Sequence, residues 1–96
     1  MNYRLLTPAL EDLDRIDAWI SENFGAAASA KAQRKLFEVF ELLSRHQGMG
    51  VLRPEITSRP VRFFASDPNW VIYEPGSPML IHRIFPALMD LERLAL

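Results

Sequence analysis

A single interruption at Gly25 constrains this chain more than any other feature of its sequence. Before it, Leu13, Ile16, Ile20 and Phe24 recur at the spacing of one helical face, with Leu10 and Trp19 on the flanks of the stripe. After it, the Ala-rich start Ala26-Ala27-Ala28-Ser29-Ala30 leads into a second stripe of Ala32, Leu36, Val39, Phe40 and Leu43, widened by Phe37. A break this short between two helices makes an antiparallel helical hairpin, and both stripes must then face one layer.

The first helix is expected over 8–24. Thr7 suits the N-cap and Pro8 the first helical position, where a missing N–H costs nothing. Glu11 and Asp12 lie near the positive end of the helix dipole. The second helix should stop near His46, because Gln47-Gly48-Met49-Gly50 supplies two breakers. Tyr3–Leu6 is a short strand candidate ahead of the helices. The stretch Gly48–Ser58 reads as a loop, followed by strand candidates at Val61–Ala65, Trp70–Glu74 and Met79–Phe85. Ser66-Asp67-Pro68-Asn69 and Pro75-Gly76-Ser77-Pro78 separate these strands, and connections so short join antiparallel neighbours. Pro86 should end the last strand, leaving Leu88–Leu94 as an amphipathic tail.

The order is β-α-α-β-β-β. It describes an α+β fold over one domain, 1–96, in which the helical hairpin packs on one face of a small, mostly antiparallel sheet. The other face is expected to lack cover from its own chain. Both phases of the strands are largely apolar, Val61/Phe63 against Arg62/Phe64 and Ile81/Arg83/Phe85 against Leu80/His82/Ile84, which favours a partner there.

Two arginines break the apolar pattern. Arg83 lies in Met79-Leu80-Ile81-His82-Arg83-Ile84-Phe85 and Arg62 in Val61-Arg62-Phe63-Phe64, yet arginine is rarely buried without a partner. Two readings stay open: an internal ion pair, for example to Glu74, or a fork that receives an anion. Net charge is −1, so no overall positive field draws the protein to nucleic acid or to a membrane. Charge is uneven, with Glu11, Asp12, Asp14, Asp17 and Glu22 against Arg15 in the first helix, and Arg45, Arg53, Arg59 and Arg62 against Glu55 in the middle. Asp12 and Asp14 read as solvated helix surface. Trp19, Phe37, Phe40 and Met49 suit the core or an interface.

Cysteine is absent, which excludes disulfides, thiolate nucleophiles and Cys-based zinc sites. With two histidines, no clustered carboxylates and no cofactor motif, neither a metal nor a cofactor is expected. His82 is expected as a half-buried strand histidine with a hydrogen-bond partner, and His46 at the negative end of the second helix. The start lacks the apolar run of a signal peptide, and no segment approaches the ~18 apolar residues of a membrane span, so the expected location is the cytoplasm.

Within this order, Tyr3-Arg4-Leu5-Leu6-Thr7-Pro8-Ala9, then Asp12-Leu13 and Ile16, resembles the opening of ParE-type toxins of the RelE/ParE superfamily. Phe24-Gly25, Met49-Gly50 with Arg53-Pro54-Glu55, Trp70-Val71-Ile72-Tyr73, and Ile81-His82-Arg83-Ile84 leading to Met89-Asp90-Leu91 extend the resemblance over essentially the whole chain. It implies a type II toxin–antitoxin pair and a toxin–antitoxin hetero-oligomer with a ParD-like antitoxin. The ParE-like branch blocks DNA gyrase, whereas the RelE-like branch cleaves messenger RNA on the ribosome.

Metal-free RNA cleavage needs a base, an acid and cations for the phosphate. Arg62 and Arg83 match the sheet arginines of the RNA-cutting branch by position. No lysine follows Lys35, however, and no Tyr or His follows Arg83. The expected activity is therefore gyrase inhibition by binding, with no catalytic residue. The alternatives are a RelE-like endonuclease and a degenerate, non-toxic antitoxin-binding member. The expected target-binding residues are Arg62, Arg83 and Met89. The resemblance implies an antitoxin segment wrapped along helices and sheet, with Trp19, Arg53, Arg59, Phe37 and Phe40 as its contacts.

Overall fold

The computed structural model describes residues 2–89, 91–94 and 96. Chain order is β1 (Tyr3–Leu5), α1 (Thr7–Phe24), α2 (Ala26–Arg45), β2 (Val51–Leu52), β3 (Arg62–Ser66), β4 (Asn69–Glu74), β5 (Met79–Pro86) and a 3₁₀ turn at Leu91–Arg93. The five strands lie in the order β1-β5-β4-β3-β2. β1 runs parallel to β5 with Tyr3 opposite Met79, and every other pairing is antiparallel. The α+β architecture and the helical hairpin are as the sequence predicts. The added strand, β2, falls in the stretch read as a loop, where Val51 and Leu52 pair with Phe63 and Arg62.

Gly25 makes the hairpin possible. Its φ of 92° and ψ of 168° lie where a Cβ is strained, so the chain reverses there without a longer loop. Leu6, not Thr7, holds the N-cap position of α1, and no side chain caps the helix; Pro8 sits in its first turn as expected. The hairpin is tied near its turn by Ser29 Oγ, which donates to the Asp17 carboxylate.

One face of the sheet packs on the helices through Tyr3, Leu13, Leu36, Phe40, Tyr73 and Ile81, among others. Burial of each large apolar side chain contributes about 1.5–3 kcal/mol before entropy is counted. The hairpin turn overhangs this core, because the only buried residues of α1 are Ala9, Asp12 and Leu13. Trp19 and Phe24 are accordingly 59% and 68% exposed and stack tilted on each other, 5.7 Å between ring centroids.

The opposite face is not bare, contrary to expectation. Val61, Phe63, Ile72 and Phe85 form a second cluster there, covered by Ile56, Trp70 and the tail residues Leu91, Leu94 and Leu96. The two apolar phases of β5 have a further cause. A bulge lies between Ile72 and Tyr73 of β4, which pair with Arg83 and Ile81, so His82 has no partner of its own. The extra residue shifts the alternation, placing both Ile81 and Ile84 in the helix-side core.

Candidate functional site

β1 ends at Leu5, opposite Ile81, so the later residues of β5 have no strand on that side. α1 supplies what the missing strand cannot: the Ile84 N–H donates to Asp12 Oδ2 at 2.9 Å. Arg83 donates to the same carboxylate through Nε, 2.7 Å from Oδ2, and Nη2, 3.0 Å from Oδ1. Arg15, one turn along α1, adds Nη2 to Oδ1. Asp12 is fully buried yet receives four donors, so the large cost of burying a carboxylate is offset. The hydrogen bond to Asp12 raises the Arg83 guanidinium above its ordinary pKa. That guanidinium also stands 5.7 Å over the Phe85 ring.

Asp12 therefore corrects two expectations. It is not solvated surface, and it, rather than Glu74, is the partner of Arg83. Glu74 instead faces His82, Oε1 to Nε2 at 3.0 Å, which gives that strand histidine its expected partner. The signal for Asp12 lay in helical spacing: Ala9, Asp12, Leu13 and Ile16 follow i, i+3, i+4, i+7 and share the buried stripe.

Arg62 has a different role. Its Nη1 donates to the Gly50 carbonyl at 2.7 Å. The Gly50 N–H donates to the Tyr73 hydroxyl at 2.8 Å, which donates in turn to the Gln47 carbonyl at 2.7 Å. The Gln47 side chain closes the set, accepting from the Gly76 N–H at 2.7 Å and donating to the Gly76 carbonyl at 2.9 Å. The loop after α2 is thereby pinned to β4 and to the β4–β5 connection. Burial pushes the Tyr73 phenol pKa up.

A groove of about 760 Å³ opens beside Asp12, between the α1–α2 hairpin, the β3–β4 turn and the end of β5. Ile16, Trp19, Ile20, Leu36, Phe85 and Met89 supply its apolar lining, and Arg15, Lys35 and Arg83 its cations. Lys35 Nζ donates to the Asp67 carbonyl at 3.0 Å, tying α2 to the β3–β4 turn.

The structure brings Trp19, Arg83 and Met89 together at this groove. Arg53, Arg59 and Arg62 belong to the β2–β3 side instead: Arg53 pairs with Glu55 and lies 5.8 Å over Trp70, and Arg59 is exposed. The Arg53 hydrogen bond lowers the Glu55 pKa. Phe37 is 40% exposed on α2, in edge contact with Phe40 at 5.4 Å. Phe40 itself has no exposed surface and belongs to the core, not to a contact face. Asp90, part of the Met89-Asp90-Leu91 motif, lies outside the described residues. Sequence reading missed Asp12, Arg15 and Lys35 as groove residues. Among the described residues, no helix is long and apolar enough to cross a membrane.

The family model described as "ParE toxin of type II toxin-antitoxin system, parDE" matches residues 3–91. No curated protein matches the chain. Among solved structures, "Chromosomal ParDE TA system from P. aeruginosa" superposes with a TM-score of 0.73 at 24% sequence identity, covering 90% of this chain and 95% of that one, a likeness of fold.

Proposed function

The chain belongs to the ParE toxin family of type II toxin–antitoxin systems, and from that membership we propose that it arrests growth by binding DNA gyrase in the cytoplasm and is silenced by a ParD-like antitoxin. The observation that carries the choice of a binder over a nuclease is the engagement of both sheet arginines. Arg83 is forked onto buried Asp12, and Arg62 is held by the Gly50 carbonyl. Neither is a bare cation waiting for a scissile phosphate, and the lysines and late Tyr or His of an RNA-cutting site are absent from the sequence.

On this reading Met89 and the outer edge of Arg83 face the target, and Arg62 supports the sheet edge beside it. Trp19, Phe37, Arg53 and Arg59 are offered to the antitoxin. Expression without antitoxin should stop growth, and the purified chain should inhibit gyrase supercoiling. Unimpaired supercoiling together with ribosome-dependent cleavage of messenger RNA would reverse the assignment in favour of the endonuclease. Unimpaired growth would favour a non-toxic antitoxin-binding member.

A further inference from the structure

α2 buries Leu36, Phe40 and Leu43 in the helix-side core. At about 100° per residue, Ala30, Arg34, Phe37, Glu38, Glu41 and Arg45 fall on the side of the helix turned away from that core. A shallow depression of about 460 Å³ runs along this side, and α2 residues alone line it. Phe37 is its apolar centre, part-exposed and edge-on to buried Phe40. Among the described residues Arg34 and Glu38 take part in no ion pair, and Glu41 reaches Arg45 only at 3.8 Å. The groove beside Asp12 uses a different side of α2, through Ala32, Lys35 and Leu36.

The charges on this outer side have an order that one protomer does not use. Arg34 and Glu41 stand equally far from the midpoint between Phe37 and Glu38, with opposite sign. Such a pattern complements itself when two copies of the helix lie antiparallel about a two-fold axis through that midpoint. We infer that α2 is a homodimerisation helix, and that its outer side receives a second copy of this chain. Arg34 of each protomer faces Glu41 of the partner copy, so the ion pair forms twice. The two Phe37 rings meet at the axis, and the Arg45 stem lies over Ala30 of the partner copy, whose small side chain admits it. One aromatic pair and two ion pairs make a small, reversible contact. The β2 edge, where Met49, Val51 and Leu52 are also exposed, suits a second copy less: Arg53 and Arg59 against Glu55 leave it positive, and like charges would meet there. Pairing through α2 takes Phe37 out of the antitoxin-facing set and leaves the groove of each protomer open, so the dimer does not depend on what that groove binds.

The test is sedimentation equilibrium on the full chain, free of partners, over a concentration series up to about 1 mM, the range of a weak association. The parent should pass from monomer to dimer and no further, because a two-fold contact closes on itself. Arg34→Glu turns both intermolecular pairs into repulsions and should weaken the dimer about tenfold or more, as should Glu41→Arg. Mixed together, these two variants should form a heterodimer about as tight as the parent, because every facing pair then carries opposite charges; that rescue also shows both variants to be folded. Phe37→Ser should weaken the dimer about tenfold as well, with the far-UV circular dichroism unchanged. A chain still monomeric at about 1 mM overturns the inference. A dimer that the charge reversals leave unchanged does the same. Disruption by Val51→Lys but not by Phe37→Ser places the contact on the β2 edge and overturns it. Two reversed variants that have each lost self-association and fail to pair with one another overturn it too.

Discussion

Arg83 and Asp12 form one unit rather than two residues, and their energetics are set by a fully buried carboxylate that takes all its donors from the protein. Asp12→Ala strips the Arg83 fork and the Ile84 amide of their acceptor, and should cost about 3–5 kcal/mol of stability. Asp12→Asn keeps an acceptor for one donor but loses the charge, and should cost about 1–3 kcal/mol. Replacing both members, Asp12→Leu with Arg83→Met, should recover much of the loss, because it removes the charges together. Urea denaturation of the four proteins checks the ranking. A double variant weaker than either single change would show that the pair does more for the fold than neutralise itself. Toxicity measured in parallel separates strut from contact, since a folded double variant that no longer arrests growth has lost a surface and not a core.

Among the elements, the β2 edge depends on the loop that follows α2, and that loop depends on Gly50. A Cβ placed there would lie 2.7 Å from the Tyr73 hydroxyl oxygen and 3.1 Å from the Arg62 Cβ. Gly50→Ala should therefore destabilise by about 1–3 kcal/mol through overpacking. Gly48→Ala, two residues earlier, meets nothing within 4 Å and should fall within about 0.5 kcal/mol of the parent. Thermal melts of the two variants measure the contrast, and equal melts would place the Tyr73 contact outside the cooperative core. The helical hairpin behaves oppositely: its tip carries little burial, and Trp19 and Phe24 are available to a partner because the sheet does not reach them.

For the whole molecule, the response to alkali follows from two buried tyrosines. Burial raises the pKa of Tyr3, with Glu41 adding to the effect, and burial likewise raises that of Tyr73. The unfolded chain ionises these phenols near their ordinary value of about 10, whereas the folded chain retains the protons. Their contribution to stability is therefore full below about pH 10 and is lost as pH rises through the folded-state values. Denaturation midpoints should be flat from neutral pH to that point and fall above it. Tyr73→Phe should flatten the fall while lowering stability at neutral pH, because it gives up the hydrogen bonds to Gln47 and Gly50. A midpoint that does not move above pH 10 would contradict the burial of both phenols.

Local period and punctuation carried most of the architecture: the helical stripes either side of Gly25, the strand runs between Pro-rich connections, and the anomaly of two arginines among apolar residues were all legible along the chain. They were legible because side-chain spacing and turn chemistry act over a few residues. Partnership acts over the whole chain. Asp12 meets Arg83 across 71 positions only because β1 stops at Leu5 and α1 fills the vacant edge of β5. The bulge at His82 and the tail folding over Phe63 and Phe85 likewise turned an apparently open face into a second core. The spacing of Asp12 hinted at burial, but a carboxylate on a buried stripe is tolerable only once its donors arrive, and tertiary packing alone delivers them.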